Sequence, residues 1–273
     1  MNPILQKYEK RADAIQSLLC IGLDPVLNQL PARFISADYP FFEFNKWIID
    51  ETAKYSTAYK PNTAFYEARG AKGITELELT IDYLRSHYPE IVTICDAKRA
   101  DIGHTNKGYA EAIFDHMNFD AVTLHSYLGR EALAPFLDRH DKACIILCRT
   151  SNPGAGEFQD IESSGIPLWQ AVADRVANHW DTGGNCMLVV GATYSSEMRQ
   201  IRAIAPHTTF LVPGIGAQGG DINAVLSAGL NAAGRGLMIS SSREIIYSKD
   251  PAAAARNAHE AINAAREAIN AAR

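Results

Sequence analysis

The sequence predicts an α/β protein, a single-domain (β/α)8 (TIM) barrel spanning residues 1–273, and three observations carry that expectation. Short, near-continuously apolar runs recur along the chain, as parallel strands covered on both faces require. Each run is followed by polar or glycine-bearing residues and then a helical pattern, giving about eight strand-then-helix units in series. No Pro- or Ser-rich linker interrupts the 273 residues, a length that α/β barrels commonly reach as one domain.

Taken in order, the chain opens on MNPILQKYEKRADAIQ, which alternates charged and apolar residues like an amphipathic helix. The expected strands are SLLCIGLD (17–24), STAYKP (56–61), IVTICD (91–96), DAVTLHS (120–126), KACIILC (142–148), NCMLVVGA (185–192), TTFLVPG (208–214) and LNAAGRG (230–236). The last has the least β propensity, since Asn231 and three small residues stand within it. Between them, FFEFNKWIIDETAKY gathers Phe41, Phe44, Trp47, Ile48 and Tyr55 near one helical face, and TELELTIDYLRSHY does so with Leu77, Ile81 and Leu84. NKGYAEAIFDHM and PLWQAVADRVANHW repeat the pattern. The end of the chain, about 251–273, is an Ala-rich helix carrying EAINAAR twice in tandem, expected to fray or protrude.

Composition narrows the function. A net charge of −5 provides no global basic field for nucleic acid or an anionic membrane. No apolar run is long enough to span a bilayer, and the amino terminus lacks the apolar core of a signal peptide. The five cysteines lie in or beside apolar runs and read as reduced core residues, so a cytoplasmic protein is expected. Neither HExxH, a P-loop, a GxSxG elbow nor a Cys/His cluster occurs, which leaves zinc chemistry, ATP use and triad hydrolysis without support. His125, inside a strand run, reads as a core histidine.

In such a barrel the carboxyl ends of the strands and the loops after them face the active site. Strand one ends in Asp24, strand two in Lys60, and strand three in Asp96 and Lys98, which alternation places on one face. The array is either an ion-pair network closing the barrel top or a reactive site. Burying each ion costs several kcal/mol before pairing, and Val or Ile would fill the space without that cost, which favours the reactive site. A second group is LVPGIGAQGGD (211–221) with AAGRG (232–236), which holds the candidate substrate-binding Gly234: Gly214, Gly216, Gly219 and Gly220 permit close approach to an anion, and Arg235 offers a planar fork for phosphate. The glycine loop alone is equally compatible with a plain turn. A third is RTSNPGAGEFQD (149–160), whose Ser151 and Asn152 suit the edge of a heterocycle, or which is simply a surface loop.

DAKRADIGHT (96–105) closely resembles the Asp-x-Lys-x-x-Asp signature of the orotidine 5′-phosphate decarboxylases. LDP at 23–25, YKPNTAFYE at 59–67, SNPGA at 151–155, PGIGAQGGD at 213–221 and the GR pair at 234–235 match in order and spacing, in the forms of the longer subfamily. The resemblance implies conversion of orotidine 5′-monophosphate to UMP and CO2, the last step of de novo UMP synthesis, with no cofactor and no metal. It makes Lys98 the general acid that protonates C6 and sets Asp96 against the departing carboxylate. Asp24 and Lys60 bind ribose hydroxyls, Ser151 reads the pyrimidine edge, and Gln218 and Arg235 hold the phosphate. Asp101 and Thr105 reach the neighbouring subunit's site, which implies a homodimer with shared active sites. The alternatives are a metal-dependent sugar-phosphate decarboxylase or aldolase on the same barrel, and a non-catalytic nucleotide-binding barrel. Arg99 has no assigned role.

Overall fold

The computed structural model describes residues 2–215 and 220–271. Eight parallel strands close into a barrel: β1 (Leu19–Gly22), β2 (Ala58–Lys60), β3 (Val92–Arg99), β4 (Ala121–Leu124), β5 (Ala143–Arg149), β6 (Cys186–Val190), β7 (Phe210–Pro213) and β8 (Leu237–Ser241). Each pairs with its neighbours in chain order, and β8 closes on β1 through Leu19 opposite Ile239 and Cys20 opposite Ser240. A small antiparallel ribbon, Glu162–Ser163 with Ile166–Pro167, projects after β5.

Strand alternation sorts the side chains into two cores. Cys20, Ala58, Val92, Ile94, Ala121, Ala143, Ile145, Met187, Val189, Leu211 and Met238 fill the barrel interior. Their neighbours in sequence, such as Leu19, Ile21, Tyr59, Cys95, Val122 and Ile146, pack outward under the helices. The amino end of the interior is plugged by α1 (Pro3–Ile15), which buries Tyr8 and Ala12 there. Asn2 caps α1 by accepting from the Ile4 and Leu5 N–H groups, and Pro3 supplies the preset first helical residue.

The helical ring comprises α2 (Pro40–Thr52), the short α3 (Thr63–Glu67), α4 (Ala71–His87), α5 (Gly103–Ala110), α6 (Gly129–Leu137), α7 (Leu168–Arg175), α8 (Ser195–Ile204), α9 (Ile222–Gly229) and α10 (Pro251–Ala271). Both α5 and α7 run on into π-helical turns, Glu111–His116 and Val176–Trp180. The Ala-rich end differs from expectation: α10 is docked, not protruding. It buries Ala255, Ile262 and Ala265, and Asn263 and Arg266 donate to the backbone carbonyl and side chain of Gln16. Ile262 of the first EAINAAR supplies the apolar anchor, and Ile269 of the second repeats it against the core edge. Among the described residues no helix is long and apolar enough to cross a membrane.

The first seven strands fall on the expected runs, but the eighth does not. Residues 230–236 form a loop, and the strand is the following LMISS. Leu237, Met238 and Ile239 can fill both faces of a buried strand, whereas Asn231 and Gly234 instead make a turn in which the Asn231 side chain accepts from the Ala233 and Arg235 N–H groups. This seven-residue displacement reverses the place of everything on the segment.

Candidate active site

The interior positions one step beyond the apolar layer carry the site. On β1 the series Cys20, Gly22 leads to Asp24; on β2 Ala58 leads to Lys60; on β3 Val92 and Ile94 lead to Asp96; on β4 Ala121 leads to Thr123. The same two-residue period that fills the core therefore lifts charged groups to the mouth.

Asp96 is the centre, 7% exposed. Its Oδ2 accepts from Lys60 Nζ at 2.7 Å and from Asn62 Nδ2 at 3.4 Å. Its Oδ1 accepts from Lys98 Nζ at 2.6 Å and from Thr123 Oγ1 at 2.9 Å. Burial alone would push this carboxyl upward, but Lys60 and Lys98 outweigh it and hold Asp96 well below the usual carboxylate range. Lys60 is buried as well; burial pulls it down, and Asp96 and Asp24 more than reverse that, so it stays charged. Lys98 differs, with nearly half of its side chain open to the mouth (47%).

Asp24 joins the array from β1. Its Oδ1 accepts from the Asn62 N–H at 3.0 Å and its Oδ2 from the Ser242 hydroxyl at 2.9 Å. Gly22 permits this closeness, because a Cβ there would lie 2.7 Å from Ser242 Cβ. Tyr66 donates to the Leu23 carbonyl and Tyr247 to that of Asp24, fixing the turn from behind. Beside the array lies a cavity of about 400 Å³ lined by Asp24, Lys60, Gly214, Ser240, Ser242 and Arg243, among others.

Of the expected residues, Asp24, Lys60, Asp96 and Lys98 are brought together. Ser151 stands at the carboxyl end of β5, packed so closely on Gly191 that a Cβ at 191 would lie 2.8 Å from its own. Asp101 and Thr105 are separate from the array. The Asp101 carboxylate accepts from the Ile102 N–H, Asn106 braces its backbone, and among the described residues it forms no ion pair. Thr105 is exposed on α5. Gly216 and Gln218 lie outside the described residues.

Arg235 and Gly234 are not at the mouth. They precede β8, at the amino end of the barrel, and Arg235 pairs with Asp13 of α1 at 2.9 Å. The guanidinium lining the cavity belongs to Arg243, just past β8, which sequence reasoning missed; placing the strand on LMISS would have exposed it. Arg99 acquires a structural place: it pairs with Glu67 of α3 and lies 5.2 Å from the Tyr109 ring centroid, tying the end of β3 to α3 and α5.

A closed parallel barrel with a buried carboxylate held between two ammonium groups at its mouth defines a (β/α)8 barrel enzyme of the Asp-x-Lys-x-x-Asp kind. The model of the orotidine 5′-phosphate decarboxylase / HUMPS family matches residues 17–258, and the chain belongs to that family. It is 46% identical over 248 residues to an orotidine 5′-phosphate decarboxylase of Cellvibrio japonicus, covering 90% of each chain. Among solved structures, the OMP decarboxylase of Leishmania donovani superposes with a TM-score of 0.87 at 39% identity, covering 98% of this chain and all of that one. The UMP synthase of the same organism superposes at 0.88 with 41% identity, covering 96% of this chain, which spans 56% of the synthase.

Proposed function

We propose that the chain decarboxylates orotidine 5′-monophosphate to UMP and CO2, the last step of de novo UMP synthesis, without cofactor or metal. The observation that carries this reading is the Lys60–Asp96–Lys98 array, with both Asp96 oxygens engaged by ammonium groups beside the cavity. The C6–carboxylate bond breaks, its electron pair stays on C6, and Lys98 delivers a proton from Nζ to that carbon. A fixed ammonium stabilises the charge as it develops and needs no reorganisation at that moment. Asp96 faces the carboxylate that leaves, while Asp24 and Lys60 hold the ribose hydroxyls. Ser151 meets the pyrimidine edge.

The phosphate falls to Arg243 and the backbone around Gly214, with Gly216 and Gln218 assigned by family resemblance. Gly214 has a φ of +99°, a conformation that glycine takes readily. Asp101 and Thr105 act across a homodimer on the partner's site. In support, Asp101 makes no ion pair within the described chain, and Ile102 beside it is 64% exposed, as is Tyr127 at 84%. The cysteines are all buried and unpaired, in keeping with a reducing, cytosolic setting.

The test is the ultraviolet absorbance of orotidine 5′-monophosphate on adding the protein, with and without EDTA. Conversion to UMP in both conditions is expected. No change with folded protein refutes the reading, and activity abolished by EDTA moves the chain to metal-dependent chemistry.

A further inference from the structure

Lys98 has a φ of +47°, in the left-handed region that costs a residue with a Cβ roughly 1–2 kcal/mol. Around it the pairing of β3 with β4 changes register. Cys95 stands opposite Val122 and Arg99 opposite Leu124, so four steps along β3 match two along β4. The Lys98 N–H therefore has no ladder partner, and it donates to the Thr123 side chain, Oγ1, at 2.9 Å. The same hydroxyl donates to Asp96 Oδ1 at 2.9 Å, the oxygen that also accepts from Lys98 Nζ at 2.6 Å. One hydroxyl, with one proton and two lone pairs, thus closes a ring from the lysine backbone through the carboxylate to the lysine ammonium. Thr123 is 1% exposed, so the bridge is built into the barrel interior.

From this geometry we infer that Thr123 is a positioning residue for the reaction, holding Lys98 in its left-handed conformation and its ammonium at a fixed place on Asp96. The inference rests on the decarboxylase reading above. Thr123 touches no reacting atom; it acts through Lys98. Two other buried threonines of the barrel strands do not share this arrangement: Thr57 donates to the Leu19 carbonyl and Thr93 Oγ1 accepts from the Asp120 N–H, both at the amino end of the strands.

The experiment compares Thr123→Val, which keeps the shape and removes both hydrogen bonds, with Thr123→Ser, which keeps the hydroxyl. Since a misplacement of ~1 Å can cost ~100-fold, kcat in T123V is expected to fall about 10- to 100-fold. KM and the affinity for UMP, which depend on groups elsewhere in the cavity, change less than about threefold, and T123S recovers kcat to within about threefold. A wild-type kcat in T123V overturns the inference. So does an equal loss in T123S, or a weakening of UMP affinity in step with kcat. If T123V does not fold, Thr123→Ala is read by the same criteria. Unmodified protein that fails to turn over the substrate overturns the decarboxylase reading itself, a result distinct from an active enzyme indifferent to Thr123.

Discussion

Replacing Asp96 with Asn tests the centre of the site, because the shape is kept and only the charge between the two lysines is removed. Lys60, whose ammonium lies 2.7 Å from Asp96, is itself buried and would keep only Asp24 as a charged neighbour. Removing one partner of a buried pair costs about 3–5 kcal/mol, chiefly for the charge left behind. The Lys98 pair is half open to solvent and adds little to that sum. The lower bound of about 3 kcal/mol corresponds to a fall in Tm of roughly 6–12 °C for a chain of this size. Thermal and urea unfolding of D96N against the unmodified protein measures it. The difference has a defined pH dependence. The folded-state carboxyl lies below its unfolded value of about 3.9, so Asp96 contributes its full stability above that pH and loses it as pH falls toward the folded value. The gap between the two proteins should therefore be constant above pH ~4 and narrow only below it. Asp96 also holds the Lys98 ammonium at 2.6 Å, and since a misplacement of ~1 Å can cost ~100-fold, D96N should lower kcat by about 100-fold. A D96N protein as stable as the unmodified one at pH 7 would refute the account of the array.

Arg243→Ala should raise KM about 10- to 100-fold, the worth of charge-assisted hydrogen bonds to a phosphate, with a smaller loss of kcat. Arg235→Ala, which breaks only an exposed pair with Asp13, should leave steady-state kinetics unchanged; the opposite ranking would return the phosphate site to Arg235. Mixing inactive Lys98→Ala and Asp101→Ala proteins should restore activity through mixed dimers carrying one intact site, and no recovery after verified subunit exchange would confine Asp101 to its own chain. Burial pushes the Cys20 and Cys148 thiols up to about 12 and the other three higher still. A disulfide reagent at pH 8 should thus leave the native protein unlabelled and react with all five cysteines after denaturation; rapid labelling of folded protein would contradict the packing.

The barrel was legible because buried parallel strands cannot hide their apolar character, and Asp24, Lys60, Asp96 and Lys98 followed from strand ends alone. The eighth strand was lost because LNAAGRG and LMISS adjoin, and the apolar Leu230 ahead of six small or polar residues drew the boundary too early. In a barrel such a slip carries a residue from one mouth to the other, which is why Arg235 was taken for Arg243. Thr123 gave no signal, since threonine in a strand needs no explanation beyond its β propensity. The partner of Arg99 was equally hidden: Glu67 lies on α3, 32 residues away, and only the packing of α3 on β3 brings them together. Docking of the tandem repeat could not be read from helix propensity, which says nothing about what the helix leans on.

The left-handed backbone at Lys98 sets two demands on one residue against each other. Glycine is the residue that occupies that conformation without strain, and stability alone would select it there. Both Lys98→Gly and Lys98→Ala remove the proposed proton donor, yet the glycine variant should be the more stable of the two by about 1 kcal/mol, reversing the usual order for a strand. At this one position, then, the residue that the backbone favours for folding and the residue that the proposed reaction needs are different ones.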